Sequence, residues 1–115
     1  NTPLQALVLL NDPQFVEAAR KLGERIVKHG GDTDDARAAW AWREVMGHEP
    51  SAGQLTVLTE LITEQRGLFT SNSSSAKPLL AIGDSPVDPA PLVEVATFTT
   101  LAQALLNLDA HITLR

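Results

Sequence analysis

The chain has no cysteine. This excludes disulfides, thiolate metal sites and a cysteine nucleophile, and it leaves the redox compartment undecided. Aromatic residues are scarce at 4%. The core must therefore be built from Leu, Val, Ile and Ala, which suits helix packed on helix. Positive charge is in deficit: nine Lys and Arg stand against fourteen Asp and Glu, for a net charge of −5. Nucleic-acid binders draw most of their affinity from neutralised phosphates and show a basic stripe. The basic residues here are scattered among acids, so no nucleic-acid partner is expected, and anionic membranes are disfavoured too. No apolar run reaches the roughly 18 residues of a membrane span, so membrane insertion is not expected. There is no signal peptide and no initiating Met; the chain reads as a piece of a longer protein.

What is present fits one folded domain over residues 1–115. A chain of 115 residues with 43% hydrophobic and 20% charged residues has the composition of an ordered globular domain. It is long enough to bury roughly two thirds of its unfolded surface around a single core.

Helix starts and stops punctuate the chain. Thr2-Pro3 opens an apolar run to Leu10, and Asn11-Asp12-Pro13 breaks it. Pro suits the first helical position, and a helix apolar on every side must be buried. From Pro13 to His29, Phe15, Ala18, Ala19, Leu22 and Ile26 recur at three- and four-residue spacing. Glu17 with Lys21, and Glu24 with Lys28, are four apart and each pair is worth roughly 0.2–0.5 kcal/mol. Gly30-Gly31 ends this helix.

Asp32 to Asp35 caps a third helix running to Met46, with Gly47 as its stop. Ala38, Ala39, Trp42, Val45 and Met46 form its inner face, with Trp40 pointing elsewhere. Ser51 and Gln54 make a capping box. The helix it starts carries Leu55, Leu58, Leu61, Ile62, Gln65, Leu68 and Phe69, and Gly67 weakens its last turn. Thr70 to Ser75 is a polar loop, Ala76 to Ile82 a short helix, and Asp84 to Pro91 an extended connection stiffened by three prolines.

Leu92 to Asp109 closes the chain as a long helix. Val93 to Thr100 is rich in β-branched residues and alternates like a strand. The unbroken spacing of Leu92, Val95, Phe98, Ala102, Leu105 and Leu106 decides for helix. The expected fold is all-α: a compact array of about five or six helices with no β-sheet. Leu7, Leu22, Trp42, Leu58, Leu61 and Leu105 are expected in one core.

Three stretches resemble one bacterial family, the planctomycete C-terminal "PSD" domain. The first runs from Thr2 to Arg20, beginning Thr-Pro-Leu-Gln-Ala-Leu-Val-Leu-Leu-Asn-Asp-Pro. The second is Arg43 to Pro50, where Arg43, Gly47, Glu49 and Pro50 fit the family pattern. The third runs from Leu79-Leu80-Ala81-Ile82-Gly83-Asp84-Ser85-Pro86 to Leu105-Leu106-Asn107-Leu108-Asp109. His48 stands where an Arg is expected, and Ala110 where an acid is expected.

The resemblance implies that the chain is only the C-terminal part of that domain, from multi-domain proteins that are exported and often carry a cytochrome module. It supplies no established activity and no catalytic residues to carry over. The implied partners are the upstream segment of the same parent chain and a cytochrome module; the run Pro3–Leu10, apolar on every side, needs cover from that segment or from a second copy. No haem attachment motif is present, because there is no Cys.

Individual residues give no chemical constellation. His29, His48 and His111 lie far apart and none pairs at i, i+4. His29 suits a helix C-terminus. Ser85 in Gly-Asp-Ser-Pro lacks a nucleophile elbow and reads as a turn. Asn72-Ser73-Ser74 is a glycosylation sequon in a Ser-rich loop. Glu94 lies in a first helical turn, where the dipole favours it, and Asp109 is placed to cap the segment after that helix. Separated by four turns of helix, these two acids cannot flank one glycosidic bond unaided. Arg43 suits an internal pair with a carboxylate better than ligand binding, and Asn11 and Asn107 end Leu-rich runs as caps or turn formers rather than ligands.

No catalytic, cofactor-binding or metal-ligating residue is assigned, and no cofactor is expected. The expected role is that of a non-catalytic helical module with a structural or protein-interaction function. The alternatives are one wall of an enzyme site, polysaccharide-related, whose catalytic residues lie upstream, or a docking surface for a cytochrome.

Overall fold

A computed structural model of the chain describes residues 13–71 and 89–113. Four α-helices make up these residues: α1 (Pro13–His29), α2 (Asp34–Met46), α3 (Ala52–Ser71) and α4 (Pro89–Thr113). The described residues hold no strand. The all-α expectation stands, but the count is four among the described residues rather than five or six. The two short helices expected at 3–10 and 76–82 lie outside them.

The caps work as the local sequence dictates. Thr33 is the N-cap of α2, its hydroxyl accepting from the Ala36 N–H at 3.1 Å. Gly47 ends α2 at φ 84°, and its N–H returns to the Arg43 carbonyl. The left-handed conformation there favours glycine. Ser51 and Gln54 form the reciprocal box: Gln54 N donates to Ser51 Oγ at 3.1 Å and Ser51 N to Gln54 Oε1 at 2.8 Å. α3 continues past Gly67 to Ser71. α4 is longer than expected at both ends. Residues 89–91, expected in an extended connection, are helical, because prolines in a first turn remove only N–H groups that have no helical partner.

α4 is the central element. It shares contacts with each of the other three, most extensively with α1. Leu92, Ala96, Phe98, Leu101, Ala102 and Leu105 are all buried, as are Thr97 and Thr99. Neighbours on several sides bury a wide band of its surface, and this overrides the strand-like pattern of 93–100. Thr100 returns its hydroxyl to the Ala96 carbonyl at 3.1 Å, a common way for a helical Thr to satisfy itself.

One core joins the four helices. Ala19, Leu22 and Ile26 come from α1, Ala38, Ala41 and Trp42 from α2, Leu58 and Ile62 from α3, and Phe98, Leu101, Ala102 and Leu105 from α4. Leu22, Trp42, Leu58 and Leu105 therefore meet as expected. Leu61 is only partly buried against the cluster, and Leu7 lies outside the described residues.

Four stripe assignments need correction. Ala18 is exposed and Ala39 only half-buried, while Ala41 is fully buried. Trp40, expected to point elsewhere, packs against the core edge, and the Arg25 guanidinium lies 5.4 Å from its ring centre. Leu68 is 57% exposed. Leu58, Ile62 and Phe69 set the buried side of α3, and Leu68 is turned about 100° from Phe69.

α1 and α4 approach very closely at Gly23. A Cβ there would lie 2.5 Å from Thr99 Oγ1, 2.7 Å from Thr99 N and 2.8 Å from Thr99 Cα. Further along, Ala18 and Leu22 line a recess together with Leu106 and Asp109. The two helices thus run antiparallel.

Candidate functional site: an ion-pair cluster over Phe98

The main polar convergence lies where the first turn of α2 and the second turn of α4 meet the C-terminal half of α3. Asp34 opens α2, where the helix dipole favours an acid. Arg37 follows one turn later. Arg66 comes from α3 and Glu94 from the second turn of α4.

Arg66 makes two forks. Nη1 donates to Asp34 Oδ2 and Nη2 to Asp34 Oδ1, both at 2.8 Å. Nε donates to Glu94 Oε2 at 2.7 Å and Nη2 to Glu94 Oε1 at 3.0 Å. Paired, parallel bonds of this kind are the strong form of the arginine–carboxylate contact. Arg37 donates from Nη1 to Glu94 Oε1 at 3.2 Å, from Nε to the Gly31 carbonyl at 3.0 Å, and from Nη2 to the Val27 carbonyl at 3.3 Å. It thus serves carbonyls at the C-terminal end of α1, where helical partners run out.

Phe98 lies under both guanidiniums. It is fully buried, with Arg37 Cζ 5.2 Å and Arg66 Cζ 6.0 Å from its ring centre. Cations at this range are attracted to the ring quadrupole.

The two arginines and two carboxylates cancel in charge. The hydrogen bonds from Arg66 hold the Asp34 carboxyl below its ordinary value against the opposing effect of burial, with the charges of Arg66 and Arg37 adding to the shift. The same two acids push Arg66 upward. Asp34 is thereby kept ionised and is a poor proton donor. The arrangement can fasten all four helices together.

Replacing Arg66 with Lys keeps the charge and loses the fork, so a cost of about 1 kcal/mol is expected in urea unfolding. The acid limb follows from the sign of the Asp34 shift. A folded-state value below the unfolded one of about 3.9 means stability that is present above about pH 4. That stability is lost as pH falls through the folded value. The decline in unfolding midpoint below about pH 4 is expected to be shallower in Asp34→Asn than in the parent chain.

The residues singled out in the sequence lie elsewhere. Arg43 pairs with a carboxylate of the same chain, Glu49, at 3.0 Å, with both side chains exposed. His48 is exposed, its ring edge-on to Trp42 with centres 6.0 Å apart. His29 is exposed at the end of α1. Asn107 and Asp109 lie inside α4 rather than at a cap; α4 runs on because Ala110 to Thr113 bring no breaker. Glu94 is in the second turn, not the first. Asn11, Asn72 and Ser85 lie outside the described residues, as does the side chain of His111. Among the described residues, no group of three or more His, Cys, Asp and Glu is arranged to hold a metal ion.

Sequence reasoning missed the Asp34–Arg66–Glu94–Arg37 cluster, although a signal existed. Arg66 continues the series Leu58, Ile62 at four-residue spacing, and Glu94 lies four residues before Phe98 and seven before Leu101, on the same stripe. A charge on an apolar stripe needs a buried partner, and here the stripes of two helices carry opposite signs.

Fold and cluster define a class: an all-α module whose principal polar centre joins its helices to one another. The family is narrower. Residues 1–62 match the family model PSD1, described as a protein of unknown function (DUF1553), and the chain belongs to that family. The match takes in α1, α2 and the first half of α3, with Asp34 and Arg37 but not Arg66 or Glu94. The third stretch of resemblance, from Leu79 onward, lies beyond it. No curated protein and no solved structure matches the chain.

Proposed function

We propose that this chain is a non-catalytic helical module with a structural and protein-interaction role, working beside the upstream part of a larger exported protein. The carrying observation is how the main polar cluster is used. Arg66 gives its forks to Asp34 and Glu94, and Arg37 gives its donors to Glu94 and to carbonyls next to α1. The charges best placed to act on a substrate are engaged in joining helices. Family membership supports an uncharacterised module. The planctomycete origin, the C-terminal position, the export and the cytochrome association rest on the sequence resemblance alone.

The test uses the isolated chain and the upstream segment of its parent. The chain is expected to turn over none of a panel of soluble polysaccharides and to gain thermal stability when the upstream segment is added in trans. Polysaccharide turnover that disappears on Asp34→Asn or Glu94→Gln, in a variant that still folds, would assign the cluster to an enzyme site instead.

A further inference from the structure

The charge of −5 is not spread evenly over the helices. α2, α3 and α4 carry only three Lys or Arg, and each is engaged: Arg37 and Arg66 in the cluster over Phe98, and Arg43 with Glu49. Glu60 and Glu64 of α3 are exposed and have no ion-pair or hydrogen-bond partner among the described residues. The one cation of their own helix, Arg66, is held by Asp34 and Glu94. α3 thus presents negative charge that nothing around it offsets.

The same side of α3 is apolar. Val57 is 64% and Leu68 57% exposed, and Leu61 between them is only partly buried. At 100° per residue, Val57, Leu61, Glu64 and Leu68 fall within an arc of about 60°, and Glu60 lies about 40° beyond its edge. Val57 and Leu68 are about 16.5 Å apart along the axis. The steps of four, three and four residues are those of a coiled-coil seam. Gly53 and Gly67 flank this line, and a Cβ at either would meet nothing within 4 Å.

We propose that this side of α3 pairs with a basic amphipathic helix of a partner protein. Aliphatic side chains of that helix pack on Val57, Leu61 and Leu68, and its Lys or Arg side chains meet Glu60 and Glu64. The proposal rests on the interaction role given above and names the surface and the partner chemistry. Charge complementarity selects a basic partner, because both carboxylates lack a cation. The seam selects a helix, whose own seven-residue repeat can follow Val57 to Glu64 and Leu61 to Leu68. The apolar line selects a protein over a simple polycation, which makes no use of it. A second copy is disfavoured, because pairing the face with itself brings unpaired carboxylates together. A contact made by one helix face belongs to the weak, transient class.

The experiment titrates the folded 115-residue chain with a synthetic helical peptide of Lys and Leu, the Leu on one face. The comparison probes are a Glu and Leu counterpart and polylysine. Amide shifts by NMR are expected along α3, largest from Val57 to Leu68. The Lys/Leu peptide is expected to bind tighter than either comparison probe, and less tightly as salt is raised. Two double variants, each shown to be folded by its melting temperature, separate the parts. Glu60→Gln with Glu64→Gln removes the charge, and Val57→Ser with Leu68→Ser removes the apolar line. Each is expected to bind the peptide at least about tenfold more weakly.

Equal binding of the Glu/Leu peptide, or undiminished binding by the Gln pair, would overturn the proposal. Polylysine binding as tightly as the Lys/Leu peptide would make the side a general polycation surface and defeat it equally, as would shifts centred on another helix. A chain that sediments as a dimer, and that the Ser pair makes monomeric, would give the side to a second copy instead. No peptide binding by a chain that also turns over no polysaccharide would sink this inference while leaving the non-catalytic reading intact. Turnover would count against that reading itself.

Discussion

Replacing Phe98 with Ala is expected to remove about 3–5 kcal/mol of folding stability. Phe98 is fully buried and belongs to the cluster that joins all four helices. Its removal leaves a cavity where α4 passes the other three, and close-packed neighbours relax only in part to fill it. The ring also carries Arg37 and Arg66 at 5.2 and 6.0 Å, so its loss strips a platform from the ion-pair cluster. Domains of this kind are stable by roughly 5–15 kcal/mol in total, and the variant should sit near the unfolding threshold. Phe98→Leu keeps much of the volume and loses the ring face, so a smaller cost of about 1–1.5 kcal/mol is expected. Urea unfolding of both variants checks the pair. A loss under about 1 kcal/mol for Phe98→Ala would mean that the ring is not where four helices meet.

Gly23→Ala is expected to cost about 3 kcal/mol, from the addition of a single methyl group. In an isolated helix the same change would stabilise, because Ala is the better helix former by about 1 kcal/mol. Here the new Cβ would sit 2.7 Å from the backbone N and 2.8 Å from the Cα of Thr99. Backbone cannot swing aside like the end of a long side chain, so α1 and α4 must move apart along the most extensive interface of the fold.

A second substitution separates this cause from a side-chain clash. Thr99→Ala removes the Oγ1 that the methyl would meet at 2.5 Å but leaves the backbone in place. The Thr99 hydroxyl is buried and has no hydrogen-bond partner. Thr99→Ala alone is therefore expected to be nearly neutral, because an unpartnered buried hydroxyl contributes little that is lost. Combined with Gly23→Ala it is expected to restore only a minor part of the loss. Full rescue in the double variant would show that the hydroxyl, not the helix backbone, sets the approach.

The residue pattern by itself determined the local elements. α1 spans Pro13–His29 as the stripe and the Gly30-Gly31 stop require. The Thr33 cap, the Gly47 stop and the Ser51–Gln54 box act between residues no more than four apart. Interactions of that range are encoded in short stretches of chain, which is why they can be read there. The all-α class followed from the same periodicity, and so did Leu22, Trp42, Leu58 and Leu105 as members of one core.

Tertiary structure alone decided the rest. Residues 34, 37, 66 and 94 are brought together by bonds that span up to 57 positions of sequence, and no local spacing announces such a meeting. Nothing in the local sequence marks Gly23; its importance comes from Thr99 packed against it. The exposure of Leu68 and the burial of Ala41 depend on which side of each helix its neighbours cover. Periodicity gives the direction of a stripe but not its width or its partner. Those are set when four helices settle around α4 and each chooses the contact that excludes the most water.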